Sequence, residues 1–189
     1  MGIDLGNIDT IVISHGHDDH TRGLQFYFER GCENKPTIVA HPEAFEEKFI
    51  DKLIVGSPIL TNELKTKCKL KLSKTPIQVS ENITFLGEIP QTNNFESRKC
   101  IGKKIIAGNP SDDYVTDDTA IVYKNDKGIY IMTGCSHSGI CNIVEYAKEI
   151  CNESNVLGII GGLHLFDKSE QLDQTIAYLK QYHIKEFYP

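Results

Sequence analysis

The sequence predicts a layered α/β fold, and three observations carry that prediction. Short β-branched runs alternate with helix-spaced amphipathic segments in both halves of the chain. Between them lies a hairpin pattern, Thr119–Tyr123 and Ile129–Thr133, around Asn125-Asp126-Lys127-Gly128. Three strand-like runs also end in a glycine-containing turn that carries histidine. With 189 residues, 40% hydrophobic and 24% charged, the chain suits one domain spanning 1–189.

Met1 to Asp9 is a short polar lead, and Thr10–Ser14 the first buried strand. His15-Gly16-His17-Asp18-Asp19-His20 forms the loop after it, and a helix follows from about Asp19 to Arg30, with Gly31 as its stop. Thr37–Ala40 is a second strand ending at His41-Pro42, where Pro42 can open a helix running to Phe49. Residues 51–76 show little periodicity and read as a mobile, partly extended excursion. Strands at Ile77–Ser80 and Ile83–Ile89 flank the turn-like Glu81-Asn82, and residues 90–117 have a long loop's composition. After the hairpin, Gly134–Gly139 leads into a helix with Ile140, Ile143, Val144, Ala147 and Ile150 on one face. Asn155–Ile160 is a strand ending in Gly161-Gly162-Leu163-His164. Asp167 and Glu170 suggest a capping box for a helix reaching about Tyr182, and Ile184–Pro189 reads as a last strand.

The chemistry concentrates after the first strand. Six residues hold three imidazoles and two carboxylates. One residue separates His15 from His17, so an extended backbone can send both rings to one side. Imidazole mixed with carboxylate suits Zn²⁺, with Fe or Mn²⁺ also compatible, and disfavours Ca²⁺ or Mg²⁺ alone. Histidines at successive strand ends, at His15–His20, His137 and His164, can converge on one rim of a sheet. Cys135 can serve as a ligand or as a small packing residue. His41 looks like a helix entry, with substrate contact or a ligand role as alternatives, and His183 a complement to a helix dipole. Asp117 and Asp118 fit a turn or edge contact, or partners of a metal-binding histidine.

Composition sets the remaining bounds. A net charge of −6 and a pI near 5.6 argue against a nucleic-acid surface. The dense basic run Lys65–Lys71 reads as a solvated strand or loop face. Six cysteines, none in a C-x-x-C pair, are expected to be reduced, which points to the cytoplasm. No apolar stretch reaches the ~18 residues a membrane span needs.

These motifs resemble the metallo-β-lactamase fold superfamily, whose H-x-H-x-D-H signature His15–His20 matches. A narrower likeness is to its dihydropterin–ribofuranosylaminobenzene-phosphate synthase-like branch of metal-dependent hydrolases. It rests on Gly87-Glu88-Ile89-Pro90, Asp117-Asp118, Gly134–Ile140 and Gly161–Leu165, among others. The resemblance implies an αββα sandwich with a metal site at one edge of two sheets. By it His15, His17 and His137 hold one metal, and Asp19 and His20 a second. His164 stands where many relatives bridge with aspartate, and an imidazole there serves one ion only.

Departures from the branch are Asp18 in place of tyrosine and Arg22 in place of a small residue, which alter the pocket mouth. Fourteen residues precede His15, and the chain stops at Tyr188-Pro189. The family pattern runs further both ways, so an incomplete domain is expected, binding one ion tightly and a second weakly. The implied function is a metal-dependent hydrolase in which Asp19 orients the attacking water. Its substrate is a small phosphorylated or pterin-like molecule, with no nucleic-acid or membrane partner; oligomeric state stays open. The alternatives are a non-catalytic metal-binding fragment and a di-iron oxidoreductase, a lineage with glutamate at the position of His17.

Overall fold

The computed structural model describes residues 5–30, 35–184 and 186–189. After a 3₁₀ turn at Leu5–Asn7 come β1 (Thr10–Val12), α1 (Asp18–Thr21), α2 (Gly23–Glu29) and β2 (Thr37–Ala40). A 3₁₀ turn at Pro42–Phe45 precedes β3 (Lys48–Ile50), β4 (Leu53–Ile54), α3 (Thr61–Lys67), β5 (Lys69–Leu72), β6 (Ile77–Ser80) and β7 (Ile83–Phe85). Then come β8 (Gly102–Ile106), β9 (Asn109–Asp113), β10 (Ala120–Asn125), β11 (Gly128–Thr133), α4 (Ile140–Cys151), β12 (Val156–Ile160), α5 (Glu170–Gln181) and β13 (Glu186–Tyr188). The chain divides into two units, Met1–Lys74 with Cys100–Asp117, and Thr75–Lys99 with Asp118–Pro189.

In the first unit β1, β2 and β5 form a parallel sheet, with Ile11 opposite Ile38 and Val39 opposite Lys71. Parallel pairing needs crossovers, and α2 and α3 lie in them. Ile13, Leu24, Ile38, Ala40, Phe45 and Leu64 make the core. A second, antiparallel sheet runs β4-β3-β8-β9.

Several expectations change here. The helix expected after the motif is interrupted at Arg22, and its Gly31 stop lies outside the described residues. The Pro42–Phe49 helix is absent. Pro42 does open a turn, and His41 Nδ1 caps it by accepting Glu43 N–H at 3.1 Å, but the turn is 3₁₀ and ends at Phe45. Lys48 then enters a strand opposite Lys104, with its buried ammonium 2.5 Å from Asp117 Oδ1. Residues 51–76 carry β4, α3 and β5 in place of the expected mobile excursion. Leu64 is fully buried in α3, and β5 turns Leu70 and Leu72 inward while Lys69 and Lys71 face water. The basic run is thus solvated, Lys65 and Lys67 at the end of α3 and Lys69 and Lys71 on one face of β5.

The loop expected at 90–117 contains the β8–β9 hairpin. Ala107 and Gly108, at φ +50° and +80°, make its two-residue turn, where positive φ suits the twist of the strands.

In the second unit six strands run in the order β13-β12-β11-β10-β7-β6. The β11–β12 and β12–β13 pairs are parallel and the others antiparallel. Strand β7 stops short of Ile89 because Gly87, at φ +75°, breaks the extended run. On α4, Ile140, Ile143, Val144 and Ala147 are buried against Val122, Ile131 and Ile159. Ile140, Ile143 and Val144 each contribute about 1.5–3 kcal/mol by burial. Helix α5 is capped by Ser169, whose Oγ accepts Leu172 N–H at 3.2 Å, and not by the expected Asp167–Glu170 box. Glu170 occupies the first helical position, too early to reach back to a cap.

Candidate metal centre

The H-x-H-x-D-H turn begins where β1 ends. Ile13 N–H still bonds Val39 O at 3.0 Å, extending the parallel ladder, and the chain then bends through Ser14. His15 is fully buried, with its Nε2 3.0 Å from His17 Nδ1. The His15 and His20 ring centres lie 4.2 Å apart, and Ser14 Oγ is within 3.2 Å of His15 Nδ1 and 3.4 Å of His20 Nδ1. Three imidazoles of the motif therefore pack together. Asp19 stands at the rim, its side chain 77% exposed and its carboxylate 3.4 Å from His20 Nε2.

Local backbone explains why glycine separates the first two histidines. A Cβ on Gly16 would collide with the Ala44 carbonyl. The Gly16 N–H donates to Asp117 Oδ2 at 2.7 Å, and Asp18 N–H to Val55 O at 2.8 Å. Behind the turn, Lys48 sits between Asp117 and Asp113, and Lys104 between Asp113 and Glu43. Burial holds the His17 imidazole below its ordinary range, and the Lys48 charge adds to that. A neutral imidazole is the form that binds metal.

The second unit carries its own histidines. The turns after β11 and β12 are laced together: Gly162 N–H bonds Gly134 O at 2.8 Å, and Ser136 Oγ donates to Gly162 O at 2.8 Å. Gly161, at φ +125°, leaves no room for a Cβ beside the Thr133 carbonyl. His164 adopts φ +50°. The lacing sets the His137 and His164 rings 4.3 Å apart, with Phe166 4.7 Å beyond His164. Cys135 Sγ lies within 4.8 Å of a His137 ring nitrogen. Ser138, next to His137, donates its N–H to Asp118 Oδ2 at 2.8 Å.

The structure brings His15, His17, His20 and Asp19 together in one unit and His137 and His164 in the other. His41 caps a turn, and His183 follows α5 with its N–H on Lys180 O. Asp117 grips the backbone of the motif through Gly16, a role that residue spacing does not reveal. Lys48 and Glu96 are not singled out by the sequence. Glu96 accepts the N–H groups of Cys141 and Asn142 at 2.9 and 2.8 Å, capping α4 just beyond His137. Neither leaves a local signal, since Lys48 follows two glutamates and Glu96 lies in a polar loop.

Known proteins resemble this chain in sequence and in fold. The chain is 35% identical over 178 residues to an uncharacterized protein of Methanocaldococcus jannaschii, covering 91% of this chain and 64% of that one. It is 33% identical over 198 residues to a 7,8-dihydropterin-6-methyl-4-(beta-D-ribofuranosyl)-aminobenzene-5'-phosphate synthase of the same organism, covering 98% of this chain and 66% of the relative. The chain thus spans just under two thirds of the length of these curated relatives. The crystal structure of Tm1679, a metal-dependent hydrolase of the beta-lactamase superfamily, matches with a TM-score of 0.81 at 24% identity, over 100% of this chain and 69% of that one. No family model matches. The mixed α/β architecture of this chain is thus the fold of that metal-dependent hydrolase of the beta-lactamase superfamily.

Proposed function

We propose that this chain carries the metal centre of a metal-dependent hydrolase-type enzyme, with His15, His17 and His137 holding one ion and Asp19, His20 and His164 a second. The packing of His15, His17 and His20 is the observation that supports this most. Two nitrogens on one tetrahedral zinc, at bonds of 2.0–2.1 Å, stand about 3.3 Å apart. His15 Nε2 and His17 Nδ1 are 3.0 Å apart, so little movement would place both on one ion. This donor set favours zinc, and iron or manganese fit the same ligands. Such an ion, when bound, acidifies a water and polarises an electrophilic centre.

The chain's own groups do the rest. His15 is buried, and His17 is biased toward the neutral, ligating form. Asp19 faces solvent at the rim, where it orients the attacking water and takes its proton. The second set should bind more weakly, because Asp19 is exposed and has rotamer freedom to lose. The substrate we propose is a small phosphorylated or pterin-like molecule, and the compartment a reducing cytoplasm. The name of the synthase relative supports the first, and the 81% exposed Phe166 beside His164 offers a planar ring a stacking face. No described helix is long and apolar enough to cross a membrane.

Zinc titration of metal-free protein by calorimetry, with elemental analysis, tests the reading. One tight and one weaker event are expected. His17→Ala should abolish the tight event and His20→Ala chiefly the weaker one. A chain that takes up no zinc, iron or manganese would sink the proposal.

A further inference from the structure

Asp117 and Asp118 are consecutive, fully buried, and lie where the chain passes from the first unit to the second. Each grips a backbone N–H beside a histidine. In the first unit, Asp117 Oδ2 accepts the N–H of Gly16, the residue between His15 and His17, at 2.7 Å. Its other oxygen takes Lys48 Nζ at 2.5 Å, and Lys48 is fully buried with Asp113 3.7 Å away. In the second unit, Asp118 Oδ2 accepts the N–H of Ser138, the residue after His137, at 2.8 Å. Ser138 Oγ in turn accepts from Arg98 Nη2 at 3.1 Å, and the same nitrogen donates to Ile89 O at 2.6 Å.

Stability alone does not explain these groups. Desolvating two charges offsets their attraction, and an apolar pair of equal volume often serves a fold as well or better. What the carboxylates add is direction. A charge-assisted hydrogen bond in a buried site fixes one N–H at one angle, and so fixes the side chains on either side of it. Substitution at Gly16 is barred by the Ala44 carbonyl, so that turn has no slack to take up a lost anchor.

We propose that Asp117 and Asp118 are positioning residues of the metal centre, Asp117 with Lys48 setting the His15–His17 turn and Asp118 setting the His137 turn. This rests on the metal-site reading above and assigns neither aspartate to the metal itself.

Amide hydrogen exchange and zinc competition with a chelator, on the full chain, test it. In the parent protein the Gly16 and Ser138 amides should be strongly protected. Lys48→Met with Asp117→Leu removes both charges together, so no buried charge is left alone, and should free the Gly16 amide while Ser138 stays protected. Asp118→Leu should do the reverse. Each should weaken zinc binding about 10–100-fold, the usual effect of losing a group that orients a ligand. Asparagine at either aspartate, paired with Lys48→Met at position 117, keeps an acceptor and should restore most of the affinity. A purely structural role would instead lower protection throughout and gain nothing from asparagine over leucine. Leucine variants with parent affinity and unchanged amides overturn the proposal. If those variants fail to fold, rapid exchange at Gly16 and Ser138 in the parent overturns it. A parent chain that binds no metal defeats the functional reading instead, and the exchange rates then decide the clamp by themselves.

Discussion

Glu43 shows how much a single side chain can depend on neighbours far along the chain. Burial alone would raise its carboxyl, but hydrogen bonds from Lys104, Lys74 and Thr116 outweigh that and draw it down to about 2. An unfolded glutamate titrates near 4.3, so between these values the unfolded chain binds a proton that the folded one refuses. The pairing is fully stabilising above about pH 4.3 and is lost as pH falls toward 2. Glu43→Gln should therefore be less stable than the parent at neutral pH, with the gap closing across that window. Urea midpoints measured against pH check this, and a gap that widens on acidification would contradict it. The same residue marks a limit of sequence reading. Glu43, Lys48, Lys104, Asp113 and Asp117 form a buried charge network. Their pairings cross up to 69 positions, so residue types alone cannot reveal them. The metal motif is legible for the opposite reason, since its donors fall within six consecutive residues.

Among elements, α4 was the most legible, because its apolar positions repeat at three and four and all of them point one way. Its start was not. Gly139, at φ +87°, supplies no side-chain cap, and the capping group arrives from Glu96, over forty residues earlier, where a Cβ on Gly139 would crowd it. Asn142 adds a second tie, its Oδ1 accepting from Thr92 and Asn93. Hydrogen bonds to a charged group contribute about 1.5–3 kcal/mol each, so Glu96→Gln, which keeps one acceptor but drops the charge, should destabilise by about 2 kcal/mol. Chemical denaturation measures that, and a loss below about 0.5 kcal/mol, the range of an ordinary surface change, would remove the capping role. Strands β5 and β8 were missed because lysines interrupt their apolar signal, and β9 because Asn109–Asp113 carries none; only their partners hold them extended. The overestimated Pro42 helix failed at Lys48, whose burial no local rule anticipates.

At the scale of the molecule, the alternation of strands and helices was enough to give the layered α/β class, and the superfamily's fold agrees with it. The thiols add a test at the same scale. None of the described cysteines, Cys68, Cys100, Cys135, Cys141 and Cys151, is in a disulfide, and Cys32 lies outside the described residues. Burial pushes the Cys68, Cys141 and Cys151 thiols up, Glu96 adding to the rise at Cys141, so these should resist alkylation in the native state while exposed Cys100 reacts. Denatured without reductant, the chain should titrate six thiols, and a count of four would mean a bridge.

The lacing of Gly134, Ser136 and Gly162 has a consequence for evolvability. It fixes the turns after β11 and β12 through backbone and hydroxyl contacts alone, before the chain reaches Leu165 and Phe166. Residues beyond that staple, up to the Ser169 cap of α5, can then change without loosening it, much as a loop sits on a rigid frame. A library randomised over 165–168 should therefore leave the His137 and His164 turns in place while changing what surrounds the two imidazoles, which makes this segment a place for deliberate retuning.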